Sequence, residues 1–162
     1  MKLTLSYEFP PLLQPGLHIF SLSDVRKLCV EPFTNSKTRE KIMLGLEYII
    51  AEIERVLIES DVWVNGSFIT EKLNPNDSDI VIKIDANLID NGTADQRQVL
   101  ECLKSNLSND YLCDSYIMPI YPDGDPSAVL NDYNIAYWLK QFGFSRNVNY
   151  KGIAVVKTGM KT

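Results

Sequence analysis

Two short apolar runs, Val62-Trp63-Val64 and Ile80 to Ile84, are separated by a stretch that opens on Gly66-Ser67 and closes on Asn74-Pro75-Asn76-Asp77-Ser78-Asp79. β-Branched and aromatic side chains suit extended backbone, whereas Gly-Ser and Asn-Pro-Asn-Asp are turn chemistry. The segment therefore reads as strand, helical turn, loop and a second strand over Asp79 to Ile84. Strands this apolar must be covered, which requires amphipathic helices elsewhere in the chain.

Ser36 to Ser60 supplies the clearest of them. Ile42, Leu46, Ile49, Ile50, Ile53, Val56 and Leu57 recur at three- and four-residue steps, and charged residues largely fill the remainder, as a helix lying on a sheet requires. Pro10, Pro11 and Pro15 bar helix from the first fifteen residues. Ser21 and Asp24 have capping-box spacing at the head of a short helix to Cys29, with Asp in place of Glu. Ala94 to Leu107 reads as a helix, Tyr111 to Ile120 as a third strand, and Ser127 to Phe142 as a helix stopped at Gly143. Lys151 to Lys157 adds a fourth strand, expected at an edge. The pattern defines one domain over residues 1–162 of α+β (or α/β) class, with helices covering a mixed sheet.

A chain of 162 residues buries ~70% of the surface its unfolded form exposes and needs no covalent staples. Cys29, Cys102 and Cys113 show no paired spacing, which suits a reducing, cytoplasmic setting. No run approaches the ~20 apolar residues of a membrane span, and the first residues lack the apolar core of a signal peptide. The net charge is −5 and Lys and Arg form no block, which argues against long DNA or RNA as a direct substrate. Near the end, Arg146, Lys151, Lys157 and Lys161 have no acid close by in sequence. They read either as a solvated basic end or as phosphate contacts.

The chemistry concentrates around the first loop. Gly66 lets backbone approach a phosphate, Ser67 offers a hydroxyl and an amide, and Asp77 and Asp79 offer hard oxygen ligands for Mg²⁺. Strand periodicity puts Asp77 and Asp79 on one face, with Ser78, Ile80, Ile82 and Ile84 turned into a core. The plain alternative is a solvated turn carrying two acids. Asp114 is the one carboxylate inside the third strand; if buried it must be paired, neutralised or coordinated, and otherwise it faces solvent. Asp110, in the turn before that strand, is a weaker candidate.

Gly66-Ser67 followed by Asp77-Ser78-Asp79 resembles the signature of the polymerase β-like nucleotidyltransferase superfamily, departing from it at Ser78, where an apolar residue is usual. The longer string through Thr70, Lys72 and Pro75, with Tyr137-Trp138, Phe142-Gly143, Arg146 and Lys151-Gly152-Ile153 later on, is similar to a group of small bacterial nucleotidyltransferase-like proteins. The resemblance covers roughly residues 35 to 157. It implies a nucleotidyltransferase-like sheet, Asp77, Asp79 and Asp114 as catalytic and metal ligands, two Mg²⁺ ions as cofactors and an NTP as substrate. It also implies Gly66, Ser67, Thr70 and Lys72 as phosphate contacts, and a protein partner of the kind found in toxin–antitoxin or phage-defence modules. In that scheme the metals activate an acceptor hydroxyl on protein, RNA end or small molecule and neutralise the leaving pyrophosphate. A catalytically silent member that senses nucleotide or binds a partner fits the same residues. His18 reads as a surface or packing residue, Trp63 and Trp138 as core, and Arg39, in the first turn of the long helix, as a surface arginine ahead of one that faces the cleft.

Overall fold

In the computed structural model, which describes residues 8–105 and 107–159, five strands form a mixed sheet. They are β1 (Gly16–Ile19), β2 (Ser60–Asn65), β3 (Ser78–Asp85), β4 (Cys113–Ile120) and β5 (Gly152–Thr158), in the spatial order β1-β5-β2-β3-β4. β2 runs antiparallel to both β3 and β5, while β1 pairs parallel with β5 and β4 parallel with β3. The helices are α1 (Leu22–Cys29), α2 (Arg39–Arg55), α3 (Asn87–Asn91), α4 (Ala94–Lys104), α5 (Ser108–Tyr111) and α6 (Asn131–Gly143). Short 3₁₀ turns cover Gly66–Ile69 and Pro126–Leu130.

Strand alternation divides the sheet into two unequal faces. Val62, Val64, Ile80, Ile82, Ile84, Cys113, Ala154 and Val156 point into a main core shared with α1, α2 and α4. Trp63, Val81, Met118, Ile153 and Val155 form a smaller core with Phe142 of α6. Capping works as its residue types require: Ser21 and Asp24 make a reciprocal box at α1, and Thr93 and Gln96 another at α4. Arg26 then ties α1 to α2 through Glu40 and Glu47, at 2.8 and 2.9 Å.

Several elements differ from their sequence-based expectation, among them α4, which ends at Lys104, and α6, which begins at Asn131 after a 3₁₀ turn. The fourth strand of the sequence reading, β5, is not an edge but the partner of both β1 and β2; its run of buried side chains is that of a strand flanked on both sides. The edge position goes to β1, a four-residue strand with Leu17 and Ile19 exposed. α2 stops at Arg55 rather than near Ser60, because Leu57 turns left-handed at φ 57° and Ile58 N–H closes back on Ile53 O at 3.1 Å. β4 begins at Cys113 because α5 and a left-handed Leu112 take up the preceding residues.

Candidate functional site

The loop between β2 and β3 brings the sequence motif together. Gly66 adopts φ +80°, and a Cβ built on it would lie 2.2 Å from Asp79 Oδ2 and 3.0 Å from Asp79 N. Glycine is required there twice over, once for the backbone and once for the carboxylate packed against it. Asn65 fixes the turn's entry, accepting from Gly66 N–H at 2.7 Å and donating to Gly152 O at 3.0 Å. Asp79 stands directly opposite Asp114 in the parallel β3–β4 register. Both lie on the smaller-core face, as does Asp77 by its two-residue offset, while Ser78 is wholly buried on the other face.

The site is charged and only half exposed. Burial raises the Asp79 carboxyl above the usual carboxylate range, and Asp77 and Asp114 push the same way; Lys151 and Arg146 oppose them. Asp77 is likewise raised by burial and by Asp114, with Lys72 pulling it down. Burial lowers the Lys151 ammonium, against the pull of Asp79 and Glu8. Asp77 and Asp79 therefore feel the neighbouring carboxylates, with cations from two loops around them. Among the described residues no group of three or more His, Cys, Asp or Glu stands close enough to hold a metal ion.

Of the expected phosphate contacts, Ser67 is half-buried and its hydroxyl has no hydrogen-bond partner among the described residues. Thr70 is committed locally: its hydroxyl donates to Ser67 O at 2.8 Å and accepts from Lys72 N–H at 3.3 Å, closing the turn. The Lys72 ammonium lies near enough to Asp77 to lower its pKa. The basic end divides. Lys157 pairs with Asp61 at 3.4 Å, beside Lys83 at 3.2 Å, because these three side chains share one row across β5, β2 and β3. Arg146 and Lys151 act on Asp79, and Lys161 lies outside the described residues. A cavity of about 640 Å³ borders the Asp61 row at the far end of the sheet, away from the acids.

Arg39 overturns its expectation as a surface residue. It is 1% exposed. Its side chain makes five hydrogen bonds to main-chain oxygens, Nη1 to Cys29 O and Phe68 O at 2.7 and 2.8 Å, Nη2 to Thr70 O and Lys72 O at 2.5 and 2.6 Å, and Nε to Lys72 O at 3.2 Å. The guanidinium carbon lies 3.6 Å from the Phe33 ring centroid. A charged residue in the first turn of a helix carries no local sign of burial; only the long-range return of the loop to α2 reveals it. Ser78 donates to or accepts from Cys113 Sγ at 3.2 Å across the β3–β4 pair, which explains how a hydroxyl occupies an apolar position. Burial pushes the thiols of Cys113 and Cys29 up to about 11 and about 12, so neither is a nucleophile at neutral pH. His18 packs on Phe20 and meets Gln14 O at 2.8 Å, and Trp63 is core. Asp110 sits in α5, which packs on α2.

The fold and site define an α+β protein with an acidic cluster at one end of a mixed sheet, braced by a turn that only glycine can enter. The chain belongs to a family of unknown function, DUF6932, whose pattern matches residues 7–157. No curated protein and no solved structure matches it. No helix among the described residues is long and apolar enough to cross a membrane.

Proposed function

We propose that this chain is a minimal Mg²⁺-dependent nucleotidyltransferase, moving a nucleoside monophosphate from an NTP to an acceptor hydroxyl on a protein, an RNA end or a small molecule. The observation that carries the reading is the β3–β4 register, which sets Asp79 opposite Asp114 on one sheet face. The donor set suits a hard divalent cation in its chemistry: oxygen ligands only, from acids that no ion pair neutralises among the described residues, with Asp77 and Asp79 raised first by burial and then by neighbouring carboxylates. Asp77, Asp79 and Asp114 would hold the metal by closing on it, since among the described residues no group of three stands close enough for an ion as it is. Magnesium bound there would supply charge neutralisation and acceptor activation. Gly66 lets the turn close against Asp79, its own N–H being held by Asn65 Oδ1, and Ser67, Lys72, Lys151 and Arg146 would orient and neutralise the phosphates. The acceptor oxygen bonds to the α-phosphorus as the bond to pyrophosphate breaks; the electron pair leaves with pyrophosphate and the acceptor proton passes to solvent. A cytoplasmic setting and a protein partner, as in a toxin–antitoxin or phage-defence module, accompany this reading.

A second reading is a silent nucleotidyltransferase fold that senses nucleotide or binds a partner. The spacing of the acids favours it, since no three of them form a set tight enough for a metal. Labelled NTPs, Mg²⁺ and a cell lysate separate the two. Labelling is expected with wild type and is expected to fall to background with Asp79→Asn, which removes a ligand charge but keeps its shape. Equal labelling with both proteins assigns the activity to a contaminant and overturns the transferase reading.

A further inference from the structure

Every N–H of the Arg39 guanidinium is used, and every acceptor is a backbone carbonyl. Three of those carbonyls, Phe68, Thr70 and Lys72, alternate along the loop that follows Gly66-Ser67. The intervening residues face the other way: Ile69 O accepts from Leu12 N–H at 3.0 Å and Glu71 N–H donates to Pro10 O at 2.9 Å. The chain leaves the 3₁₀ turn at Thr70 in extended conformation, and the whole stretch is held on its inner side by one cation and on its outer side by residues 10–12. Lys72 is gripped hardest, with two of the five bonds on its single carbonyl. Its ammonium is the cation that acts on Asp77.

We propose that Arg39 is a positioning residue for phosphate binding: by fixing the backbone of Phe68–Lys72 it sets where the Lys72 ammonium and the Ser67 hydroxyl meet a polyphosphate. The proposal rests on the nucleotide reading above. A purely structural arginine would need only to fill its site. Here a fork of fixed geometry meets alternate carbonyls of one loop, and a lysine, with three donors and no plane to stack on Phe33, cannot replace it. Preorganisation of this kind lowers the cost of ordering a loop when ligand binds.

The test is a double-mutant cycle on Mg²⁺–ATP affinity, measured by calorimetry at a temperature where every protein is folded. Arg39→Lys is expected to weaken binding about tenfold. Lys72→Ala is expected to cost affinity in the wild-type background and little more in Arg39→Lys, because the lysine is already misplaced. Should Arg39→Lys fail to fold, Phe33→Leu removes the ring beneath the guanidinium and carries the same cycle, with an expected loss of about threefold. Unchanged affinity in the position-39 or position-33 variant, or strictly additive losses with Lys72→Ala, overturns the positioning role while leaving nucleotide binding in place. Absence of binding by wild type overturns the nucleotide reading and this proposal together.

Discussion

Asp79 carries opposing demands. Its carboxylate is packed against Gly66, set opposite Asp114 and raised in pKa chiefly by burial, then by Asp77 and Asp114. A carboxyl whose folded pKa exceeds its unfolded value binds more protons in the native state. Its contribution to stability is therefore lost as pH rises through the ordinary value of 3.8 toward the elevated native one. Asp77 adds to the same trend, whereas Asp24 and Glu52, lowered by hydrogen bonds from Ser21 and Arg55, add the opposite one. Comparing variants isolates the site from that background. Without ligand, Asp79→Asn is expected to melt above wild type at pH 7, by ~2–4 °C for each kcal/mol of desolvation and repulsion relieved in a domain of this size. The gap is expected to close near pH 3, below the ordinary carboxyl value of 3.8 and further below the raised native one. Thermal scans at the two pH values check it, and an Asp79→Asn protein less stable than wild type at pH 7 would contradict the assigned repulsion. The site gives up stability that a bound cation would restore.

At the scale of elements, α2 shows how packing overrides propensity. Gly45 lies in mid-helix, where alanine would ordinarily gain ~1 kcal/mol, yet an added Cβ would meet Tyr111 O at 1.9 Å. That contact is where α5 docks, with Tyr48 stacked on Tyr111 at 4.7 Å between ring centroids. Gly45→Ala is therefore expected to destabilise the fold by about 1–3 kcal/mol through overpacking, read from urea unfolding midpoints; a gain in stability would show that α5 moves aside freely. The same helix marks what sequence discloses. Its buried face was legible because Ile42, Leu46, Ile49, Ile50 and Ile53 obey the helical period. Its end was not, because the left-handed stop is Leu57 rather than a glycine. Asp77 and Asp79 could be placed on one face by strand alternation alone. Placing Asp114 beside them needed the β3–β4 register, and recognising β5 as an interior strand needed pairings with β1 and β2 that lie far apart in sequence. Arg39 was illegible for the same reason: its partners at residues 68–72 are distant along the chain, and its charge argued for the surface.

For the whole molecule, the acidic end of the sheet is framed by two loops that one segment links. Pro10 and Leu12 pair with the loop at Ile69 and Glu71, while Glu8 accepts from Ser145 Oγ at 2.6 Å and Asn147 N–H at 2.7 Å. Lys72 belongs to the first loop, and Arg146 and Lys151 to the second, so cations approach the acids from both sides in a chain whose net charge is −5. A ligand that joins phosphates to a divalent cation answers both kinds of charge at once. Binding to the folded state alone stabilises it by ~2.7 kcal/mol at a hundred times Kd, and for a domain of this size that raises Tm by roughly 5–10 °C. Mg²⁺–NTP is expected to produce such a rise in wild type, while NTP without metal, facing Asp77, Asp79 and Asp114 together, produces little. Asp114→Asn removes one of the three charges and is expected to narrow the difference between the scans with and without Mg²⁺. A sensor that holds Mg²⁺–NTP without turning it over gives the same metal-dependent rise as an active enzyme, so this measurement addresses the site rather than the chemistry. Absence of any rise with all four NTPs at millimolar concentration, Mg²⁺ present, would overturn nucleotide binding and leave the acidic face to a role in protein contact.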